Sequence, residues 1–365
     1  MNIQPDPIRR CLPLDLWPEA DQELWRKITV PRHVLDEDGG RSATWRDPTR
    51  EKNRKGYGRW LSYLIAHHDL DICDFPTDRI TRERVKDYVL LLQDQISPWT
   101  IWSYALCLHQ VALAFAPEQD WSWLQKITTK LKIRRVASRN KITRMRSASE
   151  ISSWAYQQLD DLNADPGRHP STVIKYRDAL LIAILINCPM RLRNLAMIRI
   201  GKHLQWTGEV YRLDFDPDEV KTNRYLSLPL PSLLNGYIDN WINDWRSHLL
   251  RDHTHDALWI GIRGAPMHER GIYLRITATT EAAFGVAINP HLFRDIAVTS
   301  IADEIPKNIG ITAPLLGHIN PKTTEDHYIH ANQLIAGRRY ADSVATLRQT
   351  LAAEYQGPYK QEGDG

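Results

Sequence analysis

The stretch Ala179 to Ile186, ALLIAILI, carries no polar side chain, and Asn187-Cys188-Pro189 follows it at once. A helix that is apolar all round has no face to offer water, so it must be enclosed by other elements. The segment is far shorter than the roughly 20 residues that a bilayer-crossing helix needs. It is therefore read with its upstream residues as a long core helix, Thr172 to Ile186, that proline stops at 189. The residues next in line, Met190-Arg191-Leu192-Arg193-Asn194-Leu195, are delivered from the end of that helix.

At 365 residues the chain exceeds what one ordinary core accommodates, so two domains are expected. Hydrophobic residues make up 42% and charged residues 25%, as in an ordinary soluble globular protein. The net charge is only +3, so the nature of a partner has to be read from where the charge lies. Cys11, Cys73, Cys107 and Cys188 have no metal-binding or disulfide spacing, which fits a reducing cytoplasm and free thiols. No apolar run is long enough for a membrane and no signal-peptide core is expected at the N-terminus.

Residues 1–45 are expected to be an N-terminal extension, partly ordered, with a helix from Pro18 to Ile28 and an acidic loop at Asp36-Glu37-Asp38. Residues 46–135 read as all-helical. Tyr57, Trp60, Leu61 and Leu64 share a face in one helix, and Val85, Tyr88, Val89 and Leu92 in the next, which Thr77 or Thr81 caps. Ile101 to Ala114 and Trp121 to Leu131 complete four helices. A basic linker covers 136–148. The second domain, 149–340, begins with a helix capped by Ser147 or Ser149. Three strand-like runs, His203 to Trp206, Val210 to Phe215 and Tyr225 to Leu230, predict a small antiparallel sheet within an otherwise helical domain. Helices are expected at Leu233 to Leu250, Ile272 to Ala283 and His291 to Ile301. Residues 341–365 begin as a helix with Val344, Leu347 and Leu351 on one side and end in a polar tail.

One run concentrates the positive charge. Lys126, Lys130, Lys132, Arg134, Arg135, Arg139, Lys141, Arg144 and Arg146 occur with no acidic residue among them. A basic segment joining two domains would lie against phosphates if the domains clamp a duplex, and these nine residues are the candidate DNA contacts. Arg251-Asp252-His253-Thr254-His255-Asp256 lacks a partner cluster, so metal binding is not expected there.

Five further pieces fall in a fixed order: Arg191 after a Pro-Met turn, Lys221 between two strand-like runs, His291-Leu292-Phe293-Arg294, Leu316-Gly317-His318, and Tyr328 on the helix opened by Thr323-Thr324-Glu325. This ordered set over about half the chain resembles the catalytic set of the tyrosine recombinases, the phage integrase family. The resemblance implies a mainly α fold. An N-terminal four-helix core-binding (SAM-like) domain precedes a mixed α/β, mostly helical catalytic domain with a small antiparallel sheet. It implies double-stranded DNA as partner, cut and rejoined through a 3′-phosphotyrosyl intermediate with no metal, ATP or other cofactor. A homotetramer on two DNA sites, a dimer per site, and directionality factors also follow from it. The substrate would be a mobile element that is integrated, excised or resolved. A type IB topoisomerase and a catalytically silent DNA-binding regulator are the competing readings.

The residues suit the chemistry. Tyrosine attacks phosphorus only as phenolate, and its ordinary pKa of about 10 requires a base or a cationic pocket. Arg191 and Arg294 can each grip non-bridging oxygens with two N–H groups. His291 and His318 can orient phosphate or move protons. Lys221 can protonate the departing 5′-oxygen. Arg191 is preferred to Arg193 because it follows the turn Cys188-Pro189-Met190, where the family that the chain resembles has its Gly-aliphatic-Arg. The chain departs from the family pattern at Asn194, where an acid is usual, and at Asp295, where many members have histidine. The His318–Tyr328 separation is also one residue longer than usual.

Overall fold

The computed structural model describes residues 10–30, 42, 44–67, 69–134, 142–165 and 167–304. The chain divides into two units, Met1–Asn140 and Lys141–Gly365. The described part is mainly helical with one small antiparallel sheet, which is the fold class that the sequence predicts.

The first unit contains α1 (Glu19–Thr29), α2 (Asp47–Ala66), α3 (Arg82–Gln93), α4 (Pro98–Phe115) and α5 (Ser122–Arg134). Thr81, not Thr77, caps α3: its hydroxyl accepts the Arg84 N–H at 3.2 Å. Ser97 caps α4, and Pro98 occupies the first helical position, where its missing N–H is harmless. Tyr57, Trp60, Leu61, Tyr88, Leu92, Leu108 and Val111 form the core. Gly56 lets α2 lie directly on α4, because a Cβ there would sit 2.3 Å from the Cys107 Cβ.

The expected extension is corrected in one respect. Trp17, Trp25 and Ile28 belong to the same core as α2–α4, so α1 is a fifth structural helix rather than an appendage. A buried ion pair fixes it. Asp21 and Arg79 are both fully enclosed; the Arg79 Nη1 reaches the Asp21 carboxylate at 2.9 Å and the Tyr57 hydroxyl donates to it at 2.6 Å. The second Arg79 Nη donates to the Asp74 carbonyl at 2.8 Å. Three segments far apart in sequence are thus locked through one carboxylate.

In the second unit α6 (Ala148–Ala164), capped by Ser147, packs along α7 (Pro170–Asn187). Residues Ala179 to Ile186 of α7 are all buried, as their composition demands. On one side Tyr176 stacks against Trp245 at 4.4 Å between ring centroids. That tryptophan ends a π-helical turn, Trp241–Trp245, which joins α9 (Asn235–Asn240) to α10 (Ser247–Leu250). A five-residue helix, α8 (Leu192–Ala196), follows α7. The sheet runs β1 (Leu204–Trp206), β2 (Tyr211–Phe215) and β3 (Leu226–Pro229) in that order. Leu204, Leu213 and Leu228 pair across it and face the core. Then α11 (Glu269–Phe284) packs on α7 and α8, and α12 (Pro290–Glu304) packs on α6, α7 and α11.

All four cysteines are free thiols. Cys107 and Cys188 are buried, Cys11 is half-buried and Cys73 is exposed. Burial raises the thiol pKa of Cys11 and Cys107, and pushes that of Cys188 up to about 12.

Replacing Asp21 by alanine leaves the Arg79 charge enclosed without its carboxylate. The expected loss is about 3–5 kcal/mol from the stability of the first unit. Urea denaturation of the full chain measures it; a transition identical to wild type would mean that α1 does not depend on this ion pair.

Candidate active site

The first element of the site is the turn that leaves α7. The Met190 N–H closes on the Cys188 carbonyl at 2.7 Å. Arg191 then takes the N-cap position of α8 with extended backbone, φ −72° and ψ 146°, and its carbonyl receives the Leu195 N–H. Arg193 lies two residues into the helix and is exposed.

The second element is the start of α12. The Asn289 side chain accepts the N–H groups of His291 and Leu292 at 3.0 and 3.1 Å, and Pro290 has none to give. His291 and Arg294 are three apart on this helix and share a face. Arg294 is only 5% exposed, and its Nη1 donates to the Pro189 carbonyl at 2.8 Å. One arginine therefore clamps the turn that presents the other.

Between the two elements lies a cavity of about 200 Å³ lined by Met190, Arg191, Leu192, Tyr273, Asn289, Pro290, His291 and Arg294. Burial, and then the charge of Arg191, lower the Arg294 pKa to about 10, while Asp295 acts the other way. Burial also lowers that of Arg191. Two desolvated guanidinium groups that repel one another gain most from an anion that both can reach.

Lys221 does not line this cavity; it is exposed, in the β2–β3 connection, next to the buried Val220. The connection is tied to the arginine turn through its backbone. Asn194, 2% exposed, donates from Nδ2 to the Glu219 carbonyl at 3.3 Å. At the position where the resemblance leads one to expect an acid, this chain has a donor that grips the segment leading to Lys221. The Glu219 side chain takes a second set of bonds, from Lys202, from the Asp216 N–H and from His203 Nε2. The His203 Nδ1 accepts the Arg199 N–H, which leaves the ring proton on Nε2, facing Glu219. Burial alone would raise the Glu219 carboxyl, but Lys202, Asp216 and His203 outweigh it and hold it down at about 2.

The basic run divides. Lys126, Lys130, Lys132 and Arg134 are exposed on α5. Arg144 and Arg146 are not disposed as the linker reading expects. Arg144 donates from Nε to the Ala287 carbonyl at 3.1 Å and from Nη2 to the same oxygen; Arg146 donates from Nη2 to the Phe284 carbonyl at 3.1 Å. Both are thus held on their own unit, Arg146 by the last carbonyl of α11 and Arg144 by a carbonyl three residues beyond it. Arg135, Arg139 and Lys141 lie outside the described residues, as do His318, Tyr328 and the helices expected between 313 and 352. Tyr273 was not anticipated. Its helix is legible from periodicity, but nothing local separates this half-exposed tyrosine from a packing residue. His255, in the loop considered for metal, bonds through Nε2 to the Gly264 carbonyl at 2.8 Å.

Residues 156–334 match the model of the phage integrase family. The tyrosine recombinase XerD of Staphylococcus haemolyticus (strain JCSC1435) is 26% identical over 159 residues, which are 43% of this chain and 51% of that protein. The match thus spans about half the length of that relative. Two crystal structures of the XerH site-specific recombinase share the fold. The post-cleavage complex with palindromic difH substrate has a TM-score of 0.54 at 13% identity, over 90% of this chain and 99% of that one. The pre-cleavage complex with difH has a TM-score of 0.55 at 14% identity, over 87% and 95%.

Glu219→Gln tests the electrostatics of the Lys221 connection. The folded-state carboxyl, near 2, lies below the ordinary glutamate value of 4.5. Its contribution to stability is therefore complete above about pH 4.5 and is lost as pH falls towards 2. The variant should be less stable than wild type at pH 7 and converge on it as the medium is acidified. A constant difference in melting temperature from pH 7 to pH 3 would exclude the carboxylate as the cause.

Proposed function

The chain belongs to the phage integrase family, the tyrosine recombinases, and we propose that it is a site-specific recombinase that cuts and rejoins duplex DNA. The observation that carries this reading is the convergence of Arg191 and Arg294, with His291, on one small cavity from positions about a hundred residues apart. A phosphodiester in that cavity would meet two forked cations at its non-bridging oxygens, where charge builds up in a phosphorane-like transition state.

The chemistry then runs as follows. The Tyr328 oxygen attacks phosphorus and forms a 3′-phosphotyrosyl bond. The bond to the 5′-oxygen breaks, and Lys221 supplies the proton that this oxygen needs to leave as a hydroxyl. His291 and His318 orient the phosphate or move the tyrosine proton. Attack by the 5′-hydroxyl of another strand reverses the sequence and regenerates the tyrosine, so no outside energy source is consumed. Lys126, Lys130, Lys132 and Arg134, exposed on α5, suit contacts to phosphates that are independent of base sequence. The working assembly is a tetramer on two sites, in the cytoplasm, acting on a mobile element with the help of directionality factors.

Trapping on a nicked suicide duplex, followed by denaturing electrophoresis, tests the nucleophile. Wild type should give a covalent protein–DNA band, Tyr328→Phe none, and Tyr273→Phe a band still. An adduct with Tyr328→Phe would move the nucleophile elsewhere.

The acid is tested by changing the leaving group. Lys221→Ala should slow cleavage by about 10²–10⁴-fold, the usual range for lost acid catalysis. On DNA with sulfur at the bridging 5′ position, which departs without a proton, the variant should approach wild type. Arg191→Ala should gain nothing from sulfur, since its charge acts on the other oxygens. If sulfur does not rescue Lys221→Ala, the acid has to be sought at His291 or His318.

A further inference from the structure

Five residues, Gly285 to Asn289, connect α11 to α12, and their backbone is held at nearly every position. Gly285 ends α11 in the left-handed conformation, φ +70°. The Phe284 carbonyl receives Arg146 and the Ala287 carbonyl receives Arg144 through two of its nitrogens. The Ile288 N–H donates to the Thr280 hydroxyl at 2.9 Å. Asn289 then caps the helix that carries His291 and Arg294. Trp154 of α6 packs edge-on against the Phe284 ring, with centroids 5.5 Å apart. The two arginines reach this connection from the segment just before α6, some 140 residues earlier.

We propose that Arg144 and Arg146 are positioning residues, which set the start of α12, and so the His291–Arg294 face, by bracing the last carbonyl of α11 and the Ala287 carbonyl of the connection that follows it. They do not act as phosphate contacts of a basic linker. The side-chain chemistry favours this. A guanidinium that gives Nε and Nη2 to one carbonyl fixes that oxygen in direction as well as distance, which a lysine, a single flexible ammonium, does not. The Phe284 carbonyl ends α11, where backbone acceptors lack helical partners and attract cations, and the Ala287 carbonyl lies three residues beyond it in the connection. Two or three residues further on, Asn289 and Pro290 line the arginine cavity, so a shift of the connection is transmitted to the cavity without an intervening hinge. Displacement of a reacting group by about 1 Å can slow a reaction by about 10²-fold.

The inference rests on the recombinase reading, and one experiment separates the two. Duplex affinity is measured at several salt concentrations for wild type and for Arg144→Ala/Arg146→Ala in the full chain. The first-order rate of adduct formation on the nicked suicide duplex is then measured at saturating protein. For the double variant the slope of log affinity against log salt should match wild type, while the adduct rate falls by about 10–100-fold. Arg144→Gln/Arg146→Gln, neutral but still able to donate to a carbonyl, should recover part of that rate. Phosphate contacts would behave in the opposite way: the slope would become shallower by about 0.9 per residue, the saturated rate would be unchanged, and glutamine would rescue nothing. That pattern overturns the proposal. So does a smaller adduct yield at an unchanged rate constant, because the arginines would then only keep the protein folded. If wild type binds the duplex but forms no adduct, the recombinase reading fails and this inference fails with it. If wild type forms the adduct and the variants match its rate, the inference alone fails.

Discussion

The hydrogen bond from Arg294 to the Pro189 carbonyl joins two structural problems and solves both. A guanidinium as enclosed as that of Arg294 needs acceptors, and a turn at the end of a fully buried helix needs its carbonyls satisfied. The bond supplies each to the other. It also brings a second cation up to Arg191, an arrangement whose cost shows in Arg294, where burial first and then the Arg191 charge lower the pKa. An anion that both guanidinium groups reach would offset that cost. The start of α12 adds a constraint. Pro290 has no N–H, and those of His291 and Leu292 are already given to Asn289. Recognition at this face of the cavity thus falls to side chains, unlike the phosphate sites that use the open N–H groups of a helix N-terminus.

The second unit is layered around that bond. The apolar α7 is wedged between α6 and the tryptophans of the π turn, which leaves the exit from α7 little freedom. From this exit Asn194 extends control to the Glu219 carbonyl, and the carboxylate of Glu219 anchors the same segment to the residues just before β1, His203 and Lys202. Lys221 begins two residues later. The exposed lysine thereby follows a fixed base, although its own side chain stands at the surface.

Much of this was legible along the chain because it depends on neighbours in sequence. An eight-residue apolar run can only be a core element, and proline after it can only end a helix. Arg191 could be chosen over Arg193 from the turn together with the family resemblance, and the three-residue spacing of His291 and Arg294 places both on one helical face. What escaped reading depends on contacts across the fold. The helix of residues 19–29 could be seen, but not that Asp21 meets an arginine 58 positions away, which makes it part of the core. Arg144 and Arg146 look like every other member of a basic run, since their acceptors are carbonyls of a connection not yet built when they are read. Tyr273 becomes part of the cavity only once α11 is laid beside the arginine turn.

The distribution of thiols has a practical outcome. Alkylation requires a thiolate that a reagent can reach. Cys107 and Cys188 are denied both conditions, and the half-buried Cys11 has its thiolate disfavoured. Cys73, exposed in the connection between α2 and α3, is the one position where a maleimide would settle quickly under native conditions. A fluorophore or spin label could thus be attached to the first unit of the unaltered chain, far in sequence from Arg191 and Arg294, without altering any residue of the arginine cavity.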